Sequence, residues 1–303
     1  MPQRCATAHT PMPNTAIRMQ VVSSIDDARA LVASARLADA RIGFVPTMGA
    51  LHAGHLSLVA RSRAESDVTV MSIFVNPLQF GPTEDLARYP RPVEEDERLA
   101  EGAGVDILFR PTVETMYPPD RTIGITAGPL GAKYEGASRP GHFDGMLTVV
   151  AKLFNIVQPD VAFFGRKDLQ QAALVRALVK DLNVPLEIVV APIVREPDGI
   201  AMSSRNRYLD RAARHSALVL SRALREVRAR FSDGERSVES LESAGRRILE
   251  SEPSVVPDYF AVIDAADFSH PEEATRNSAA IVAARIGNTR LIDNMSLSGD
   301  DQD

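Results

Sequence analysis

The sequence predicts an α/β protein in which a Rossmann-like, doubly wound parallel sheet is followed by a smaller C-terminal α+β domain. Three observations support this fold class. Short apolar runs alternate with helical patterns over the first two thirds of the chain, a loop rich in Gly and Pro follows one of the first runs, and the order of elements changes near residue 193. Strands that alternate with crossover helices are typical of a parallel sheet.

The alternating segments define a nucleotide-binding domain over residues 19–193. Its predicted strands are Ile42 to Val45, Val68 to Val75, Asp106 to Phe109, Val161 to Phe164 and Leu186 to Val194, and its predicted helices cover 55–66, 93–103, 144–157 and 168–182. The helix at 144–157 is apolar on most sides, so we expect it to be buried.

The rest of the chain follows a different order. A Pro-Asp-Gly turn predicts a hairpin-like loop over 195–209, and helical patterns follow at 210–231 and 236–250. Strands are expected at 257–263, 279–286 and 289–292, which gives a C-terminal α+β lid domain over 194–295. Residues 1–18 are expected to form a disordered extension, and the polar residues 294–303, at least from 296 onward, a frayed tail.

Composition excludes several classes of protein. The chain has 303 residues, 45% of them hydrophobic and 24% charged, as in soluble globular proteins. A net charge of -6 argues against a surface that coats nucleic acid, and no apolar stretch is long enough to span a membrane. The single cysteine, Cys5, excludes an intrachain disulfide and a Cys-based metal site, so a cytoplasmic location is expected.

The loop P-T-M-G-A-L-H-A-G-H at residues 46–55 is the strongest candidate site. It joins a strand to a helix, and the free N–H groups of a helix N-terminus can bind phosphate. His52 and His55 could donate hydrogen bonds to phosphoryl oxygens there. For an arbitrary H-x-x-H pair, capping or core packing is the commoner explanation, and zinc lacks a third ligand because His142 is the only other loop histidine in this domain.

Two further segments offer phosphate-binding groups. In F-F-G-R-K-D at 163–168, Lys167 could neutralise phosphate and Asp168 could bind a ribose hydroxyl, although an isolated motif of this kind is more often a solvated turn. In A-M-S-S-R-N-R at 201–207, two hydroxyls and an arginine offer many donors. Alone, that segment is more often a surface turn.

Neutral amides and acidic residues complete the candidates. Asn76 and Gln79 end a predicted strand, and Gln171 lies one helical turn after Asp168; such amides suit a small hydroxylated carboxylate, or are ordinary turn residues. Glu95 and Asp96 could bind Mg²⁺, but a solvated acidic helix face is the preferred explanation, so we expect no metal site built by the protein alone.

Taken in order, these motifs resemble the pantothenate synthetases (pantoate–β-alanine ligases) of the nucleotidylyl-transferase superfamily. The resemblance rests on residues 46–55, 74–81, 163–168 and 202–209, and on R-P-G-H-F-D-G at 139–145 and R-I-G-N-T-R-L-I-D-N at 285–294. It extends over residues 20–294. One departure is Arg166, where the family's G-E-K-D pattern has Glu; we expect its side chain to point to solvent.

The resemblance implies a two-step reaction with ATP and Mg²⁺. Pantoate would attack the α-phosphate of ATP to give pantoyl adenylate and diphosphate, and β-alanine would then displace AMP to give pantothenate, a precursor of coenzyme A. The catalytic residues would be His55, His52 and Lys167, and Gln79, Gln171 and Asn76 would bind substrate. The ATP-binding residues would be Pro46, Thr47, Met48, Gly49, Ala50, Leu51, His52, Ala53, Gly54, His55, Gly165, Arg166, Lys167, Asp168, Val194, Met202, Ser203, Ser204 and Arg205.

The family resemblance also implies a homodimer, formed through the first domain. Two other functions stay open at this point. A nucleotidyltransferase would move AMP to a phosphorylated acceptor and would need a basic acceptor site, whereas residues 74–81 offer neutral amides. A nucleotide-sensing module would bind ATP without turnover.

Overall fold

The computed structural model describes residues 19–299 of the chain. The extension predicted at 1–18, and residues 300–303 of the predicted tail, lie outside the described residues. Within residues 19–299 no helix combines the length and the apolar character that a membrane span requires.

A six-stranded parallel sheet forms the first part of the molecule, as predicted. Its spatial order is β1-β4-β3-β2-β5-β6. The strands are β1 (Gln20–Val22), β2 (Ile42–Thr47), β3 (Val68–Ile73), β4 (Ile107–Phe109), β5 (Val161–Gly165) and β6 (Glu187–Ala191). The strand order reverses between β2 and β5, which are paired through Gly43 with Val161 and Phe44 with Ala162. Ligands of doubly wound sheets bind at the carboxyl ends of the strands at such a reversal.

Helices cover both faces of this sheet. They are α1 (Ile25–Leu37), α2 (Ala53–Glu65), α3 (Val93–Ala103), α4 (Val113–Met116), α5 (Glu135–Ser138), α6 (His142–Val157) and α7 (Leu169–Asp181). Helix α6 is buried along most of its length, as predicted. Its Phe154 ring lies edge-on to Phe44 of β2 and Phe164 of β5, with centroids 6.5 and 6.3 Å apart, and so anchors α6 beneath the strand reversal.

The C-terminal part contains an antiparallel sheet and two long helices. The helices are α8 (Arg211–Ser232) and α9 (Val238–Glu250), and the strands, in the order β7-β8-β9, are β7 (Val255–Asp264), β8 (Ser278–Ile286) and β9 (Thr289–Ser296). Side chains of α8 and α9 and of all three strands form a separate hydrophobic core. The predicted helices and strands are confirmed with small changes in their bounds.

Two elements were missed, and two predictions of local structure, the hairpin and the tail, need correction. The sequence patterns missed β1 and α1, although Ser24 accepts a hydrogen bond from the backbone N–H of Asp27 and so caps α1 in the ordinary way. The predicted hairpin over 195–209 is limited to one bridge between Arg195 and Ala201, and its second half is a 3₁₀ helix over Ser204–Tyr208.

The predicted tail also begins too early. Residues from Asn294 to Ser296 belong to β9 and pair with β8, and the side chain of Leu297 is buried in the second core. Main-chain pairing with β8 and the burial of Leu297 therefore order residues 294–297, although their polar composition predicted a frayed end.

Candidate active site

Hydrogen bonds from backbone N–H groups to two side chains, those of Thr47 and Asp96, fix the shape of the loop that follows β2. The hydroxyl of Thr47 accepts a hydrogen bond from the N–H of Gly49, and the backbone then turns through two positive φ values, +83° at Gly49 and +49° at Ala50. The carboxylate of Asp96 accepts the N–H groups of Ala50 and Leu51 at 2.8 and 2.7 Å. Asp96 is therefore a support of this loop, which leads directly into α2.

The role of Asp96 in supporting the loop contradicts the expectation that it belongs to a solvated acidic helix face. Its side chain is buried, so it is not part of a solvated acidic face, and its two oxygens already accept backbone N–H groups. Glu95 does fit that expectation, because it is exposed and pairs with Arg98 on the same helix. Neither carboxylate is arranged as a magnesium ligand. Across residues 19–299 no cluster of three or more His, Cys, Asp or Glu side chains could hold a metal ion.

The two predicted histidines lie together at the start of α2. Their rings are stacked with centroids 4.1 Å apart. His52 is the N-cap of the helix, and its Nδ1 accepts the N–H of Gly54 at 3.1 Å, so the proton of the neutral ring lies on Nε2. Within the described residues, Nδ1 of His55 is buried and has no hydrogen-bond partner.

Burial keeps both imidazoles neutral. Desolvation, followed by the positive charge of Lys167, lowers the pKa of His52 to about 4. Desolvation, then His52 and Lys167, lowers the pKa of His55 to about 3. At neutral pH each ring can therefore donate a hydrogen bond to a phosphoryl oxygen without itself carrying a charge.

One positive charge at this site, that of Lys167, comes from the segment after β5. A 3₁₀ helix over Arg166–Asp168 joins β5 to α7, and the Nζ of Lys167 lies 3.5 Å from a carboxylate oxygen of Asp168. The Nδ2 of Asn294, on β9, donates to the carbonyls of Arg166 and Lys167. The C-terminal sheet thus fixes the backbone that presents Lys167 and Asp168.

The side chain of Arg166 does not point to solvent as expected. It is only 5% exposed, and it is absent from the described residues that line the cavity beside Lys167. A 3₁₀ helix turns each side chain by about 120° from the one before, so Lys167 can reach the cavity while Arg166 points in a different direction and is enclosed.

The three amide side chains have different environments. Gln79 and Gln171 line the cavity, whereas Asn76 is buried behind it. The Nδ2 of Asn76 donates to Oε1 of Gln79 at 2.9 Å and to the carbonyl of Gly145 at 3.0 Å, and its Oδ1 accepts from the hydroxyl of Tyr117 at 2.7 Å. Asn76 therefore orients Gln79 and has no donor left for a substrate.

The segment after Val194 closes the opposite side of the cavity. The N–H of Met202 donates to the carbonyl of Val194 at 2.9 Å, and the hydroxyl of Ser204 lies 3.1 Å from that of Tyr89. The guanidinium of Arg205 is bound by both carboxylate oxygens of Asp85, each at 2.9 Å. In this state Arg205 is held by the loop that follows Gln79.

These segments enclose one cavity of about 210 Å³ at the carboxyl ends of β2 and β5. A neighbouring cavity of about 230 Å³ extends from it towards the antiparallel sheet. Of the predicted site residues, the first cavity is lined by Pro46, Thr47, Met48, His52, Gly54, His55, Gln79, Gly165, Lys167, Asp168, Gln171, Val194, Met202, Ser203, Ser204 and Arg205. Gly49, Ala50, Leu51 and Ala53 contribute through the shape of the loop instead.

Several residues of the site have contacts that the sequence did not predict. Asp96 supports the first loop, Asp85 and Tyr89 contact the 202–205 segment, and Arg139 and His142 line the cavity. The sequence could have indicated that Asp96 is buried, because it lies four residues before Ala100 and so on the same, buried face of α3. His142, expected in a loop, is the first residue of α6.

Comparison with known proteins gives consistent matches over nearly the whole chain. The family model described as pantoate-beta-alanine ligase matches residues 20–296. Among curated relatives, the pantothenate synthetase of Roseiflexus castenholzii is 50% identical over 279 residues, covering 92% of this chain and 99% of the relative. That of Acidobacterium capsulatum is 55% identical over 256 residues, covering 84% and 86% respectively.

Solved structures give the same result. The crystal structure of pantothenate synthetase from Thermus thermophilus has a TM-score of 0.88 and 46% identity, covering 92% of this chain and 99% of the other. The pantoate-beta-alanine ligase of Francisella tularensis, crystallised with beta-gamma ATP and beta-alanine, has a TM-score of 0.77 and 33% identity, covering 92% and 98%.

Proposed function

The chain belongs to the pantoate–β-alanine ligase family, and we propose that its reaction takes place in the 210 Å³ cavity at the ends of β2 and β5 and passes through a pantoyl adenylate. As a member, it joins pantoate to β-alanine in an ATP-dependent reaction that forms pantothenate. Membership rules out the two alternatives, a transfer of AMP to a phosphorylated acceptor and a sensor without turnover.

One observation supports the location above all others. The four segments with phosphate-binding or amide side chains, far apart in sequence, all line the same cavity. That cavity lies where the strand order of the sheet reverses, which is where nucleotides bind in this class of fold. The 210 Å³ cavity is therefore the proposed site of both reaction steps.

The first step is the attack of a carboxylate on a polyanion. A carboxylate oxygen of pantoate forms a bond to the α-phosphorus of ATP, and the bond from that phosphorus to the bridging oxygen of diphosphate breaks. Both reactants are negatively charged, so the site must supply positive charge and donors. Lys167 supplies the charge, and the neutral rings of His52 and His55 donate hydrogen bonds to the phosphoryl oxygens.

The remaining ATP contacts follow from the lining of the cavity. Gly165, Lys167 and Asp168 bind ribose and phosphate, and the backbone of Val194 contacts the adenine. Met202, Ser203 and Ser204 enclose the triphosphate, with Arg205 as its cationic partner. All these residues line the same cavity as the two amides, which supports nucleotide and acid binding side by side in it.

Gln79 and Gln171 bind the hydroxylated acid. Their side chains line the cavity, while Asn76 acts behind them as the residue that orients Gln79. In the second step the amine of β-alanine attacks the acyl carbon of the adenylate, the bond to the AMP oxygen breaks, and the amine loses a proton as the amide forms. Gln79 also contacts β-alanine. The 202–205 segment excludes water from the mixed anhydride.

Magnesium is proposed as a companion of ATP. The buried carboxylate of Asp96 is committed to two backbone N–H groups, and Glu95 lies at the surface beside Arg98. These carboxylates do not fit a metal site, so the phosphates of ATP would be the main ligands of the ion.

We also propose the domain division and assembly that the sequence implied. Residues 19–193 form the nucleotide-binding domain, residues 194–295 form a lid domain, and two chains associate through the first domain. Each part has its own hydrophobic core, which supports the division. Light scattering would give the mass in solution, and a monomer would contradict the assembly.

Pyrophosphate exchange tests the adenylate. With pantoate but without β-alanine, labelled diphosphate should enter ATP, because the first step is then reversible and complete in itself. Reactions without pantoate, or with an analogue lacking its hydroxyl groups, provide the controls. Formation of pantothenate by protein that shows no exchange would contradict the adenylate intermediate.

A further inference from the structure

His142, the first residue of α6, is hydrogen-bonded through both ring nitrogens. Its Nδ1 lies 2.8 Å from the carbonyl oxygen of Gln79, and its Nε2 lies 3.1 Å from Nη1 of Arg139. The ring is buried, with 9% of the residue exposed.

These two partners determine the protonation state of the ring. A guanidinium group has donors only, so the Nε2 of His142 must accept from Arg139. A carbonyl oxygen accepts only, so Nδ1 must carry the proton and donate to Gln79. Burial and the charge of Arg139 also lower the pKa of His142 to about 4, so the ring is neutral at physiological pH. This tautomer is the opposite of that of His52.

Arg139 is itself held in place by an acidic side chain. Glu84 accepts from Nε and Nη2 of Arg139 at 2.8 and 2.6 Å. A second contact, from Nη2 of Arg139, reaches the carbonyl of Gln79 at 3.4 Å. The guanidinium therefore has a fixed orientation from which it donates to the ring of His142.

The main chain of Gln79 depends on the hydrogen bond from the ring of His142 to its carbonyl oxygen. Gln79 is the last residue of a single 3₁₀ turn, Pro77–Gln79. The hydrogen bond from the N–H of Gln79 to the carbonyl of Asn76 is long, at 3.4 Å. The bond from His142 to the carbonyl of Gln79 is much shorter, at 2.8 Å. Rotation of this peptide would move the Gln79 amide, which reaches the Sδ of Met48 in the ATP-binding loop at 3.2 Å.

We propose that His142, held by Arg139 and Glu84, is a positioning residue that fixes the main chain of Gln79 and thereby aims its amide at the acid substrate. His142 acts through Gln79 and does not contact the reacting atoms. The inference rests on the proposed function, specifically on the role of Gln79 in binding pantoate.

Two variants separate the hydrogen-bond donor of the His142 ring from the bulk of the ring. In His142→Phe the ring remains and the donor is lost; in His142→Asn a side-chain N–H can still reach the carbonyl. We expect His142→Phe to raise KM for pantoate about tenfold, with KM for ATP within about twofold of the wild type. His142→Asn should recover most of the loss. An equal rise of both KM values, or no recovery in His142→Asn, would overturn the proposal.

A spectroscopic measurement covers the case in which His142→Phe does not fold. Nitrogen-15 NMR of the imidazoles distinguishes a ring protonated at Nδ1 from one protonated at Nε2, and the His142 signals are assigned by their loss in His142→Asn. We expect a neutral ring protonated at Nδ1 at pH 7. A ring protonated at Nε2, or a charged ring, would refute the inference.

Gln79→Ala separates this inference from the proposed function. An unchanged KM for pantoate in Gln79→Ala would contradict the proposed role of Gln79 itself. A large rise in Gln79→Ala together with a wild-type KM in His142→Phe would leave the proposed function intact and refute the role of His142 alone.

Discussion

Asp85 binds the guanidinium of Arg205 through two parallel hydrogen bonds, from Nε and Nη2, each 2.9 Å long. Both side chains are largely shielded, with 13% and 26% exposed, and the Tyr89 ring lies beside the guanidinium, its centroid 6.0 Å away. Arg205 thus already has an anionic partner before any nucleotide enters. A triphosphate that binds Arg205 must replace this carboxylate or share the guanidinium with it.

The exchange of partners at Arg205 can be measured with a double-mutant cycle. Asp85→Ala, Arg205→Ala and the double variant should give a coupling free energy of about 1 to 2 kcal/mol in unfolding without nucleotide, since the pair is partly buried and bidentate. With a saturating non-hydrolysable ATP analogue, the coupling should fall because phosphate takes over the guanidinium. A coupling that is unchanged by the analogue would mean that Arg205 stays with Asp85.

Loss of the His55 ring should slow adenylate formation while leaving the fold intact. We expect His55→Ala to reduce kcat/KM in pyrophosphate exchange by roughly 30- to 1,000-fold, which corresponds to about 2 to 4 kcal/mol of lost transition-state stabilisation. His215→Ala is the control, because His215 lies on the exposed side of α8. Wild-type exchange in His55→Ala would exclude the residue from the chemistry.

Asp96 should be needed for the shape of the loop at residues 46–55, where we propose that ATP binds. Asparagine keeps the size of the side chain but offers one acceptor oxygen for two N–H groups, so Asp96→Asn should lower the free energy of unfolding by about 1 to 3 kcal/mol and raise KM for ATP. Urea denaturation and steady-state kinetics measure the two effects. Glu95→Gln, its exposed neighbour, should resemble the wild type; equal effects of the two changes would refute the special role of Asp96.

The buried histidines should make stability depend on pH. His52, His55 and His142 protonate at about pH 4, 3 and 4 when folded, against about 6.5 in an unfolded chain. Between these limits the unfolded state binds more protons, so the free energy of unfolding falls as the pH is lowered. Each ring contributes a slope of up to about 1.4 kcal/mol per pH unit.

Urea denaturation at pH 7 and pH 5 tests this dependence, with His142→Asn as the control. Removal of one of the three rings should make the decrease in stability from pH 7 to pH 5 smaller than in the wild type. Identical decreases in the two proteins would mean that His142 is protonated in the folded state as easily as in the unfolded chain.

The sequence was sufficient for most of the fold because its strands and helices have clear periodicities. Helix α3 was predicted with its bounds, 93–103, as apolar and charged positions separate cleanly there. Strand β1 was missed because three residues, two of them exposed, leave no alternation to detect. Helix α1 followed Ser24, a good N-cap, but its apolar face has few large side chains.

The sequence could predict which residues at strand ends lie at one edge of the sheet, but not which residues meet through contacts distant in sequence. The parallel topology brings Thr47 and Gly165 to the same edge whatever their side chains are. By contrast, the contact of Arg205 with Asp85 joins residues 120 positions apart. The backbone carbonyl of Arg166 is likewise bound by a residue of a strand more than a hundred residues later.

Gly145 fixes how closely α6 approaches the 3₁₀ turn that carries Gln79. A Cβ at this position of α6 would overlap the carbonyl of Leu78, one residue before Gln79, so the helix and the 3₁₀ turn touch backbone to backbone. Position 145 should therefore tolerate only glycine unless the backbone of the helix or of the turn shifts. Because Phe154 packs against Phe44 and Phe164, a shift of the helix would also disturb its contact with the central strands.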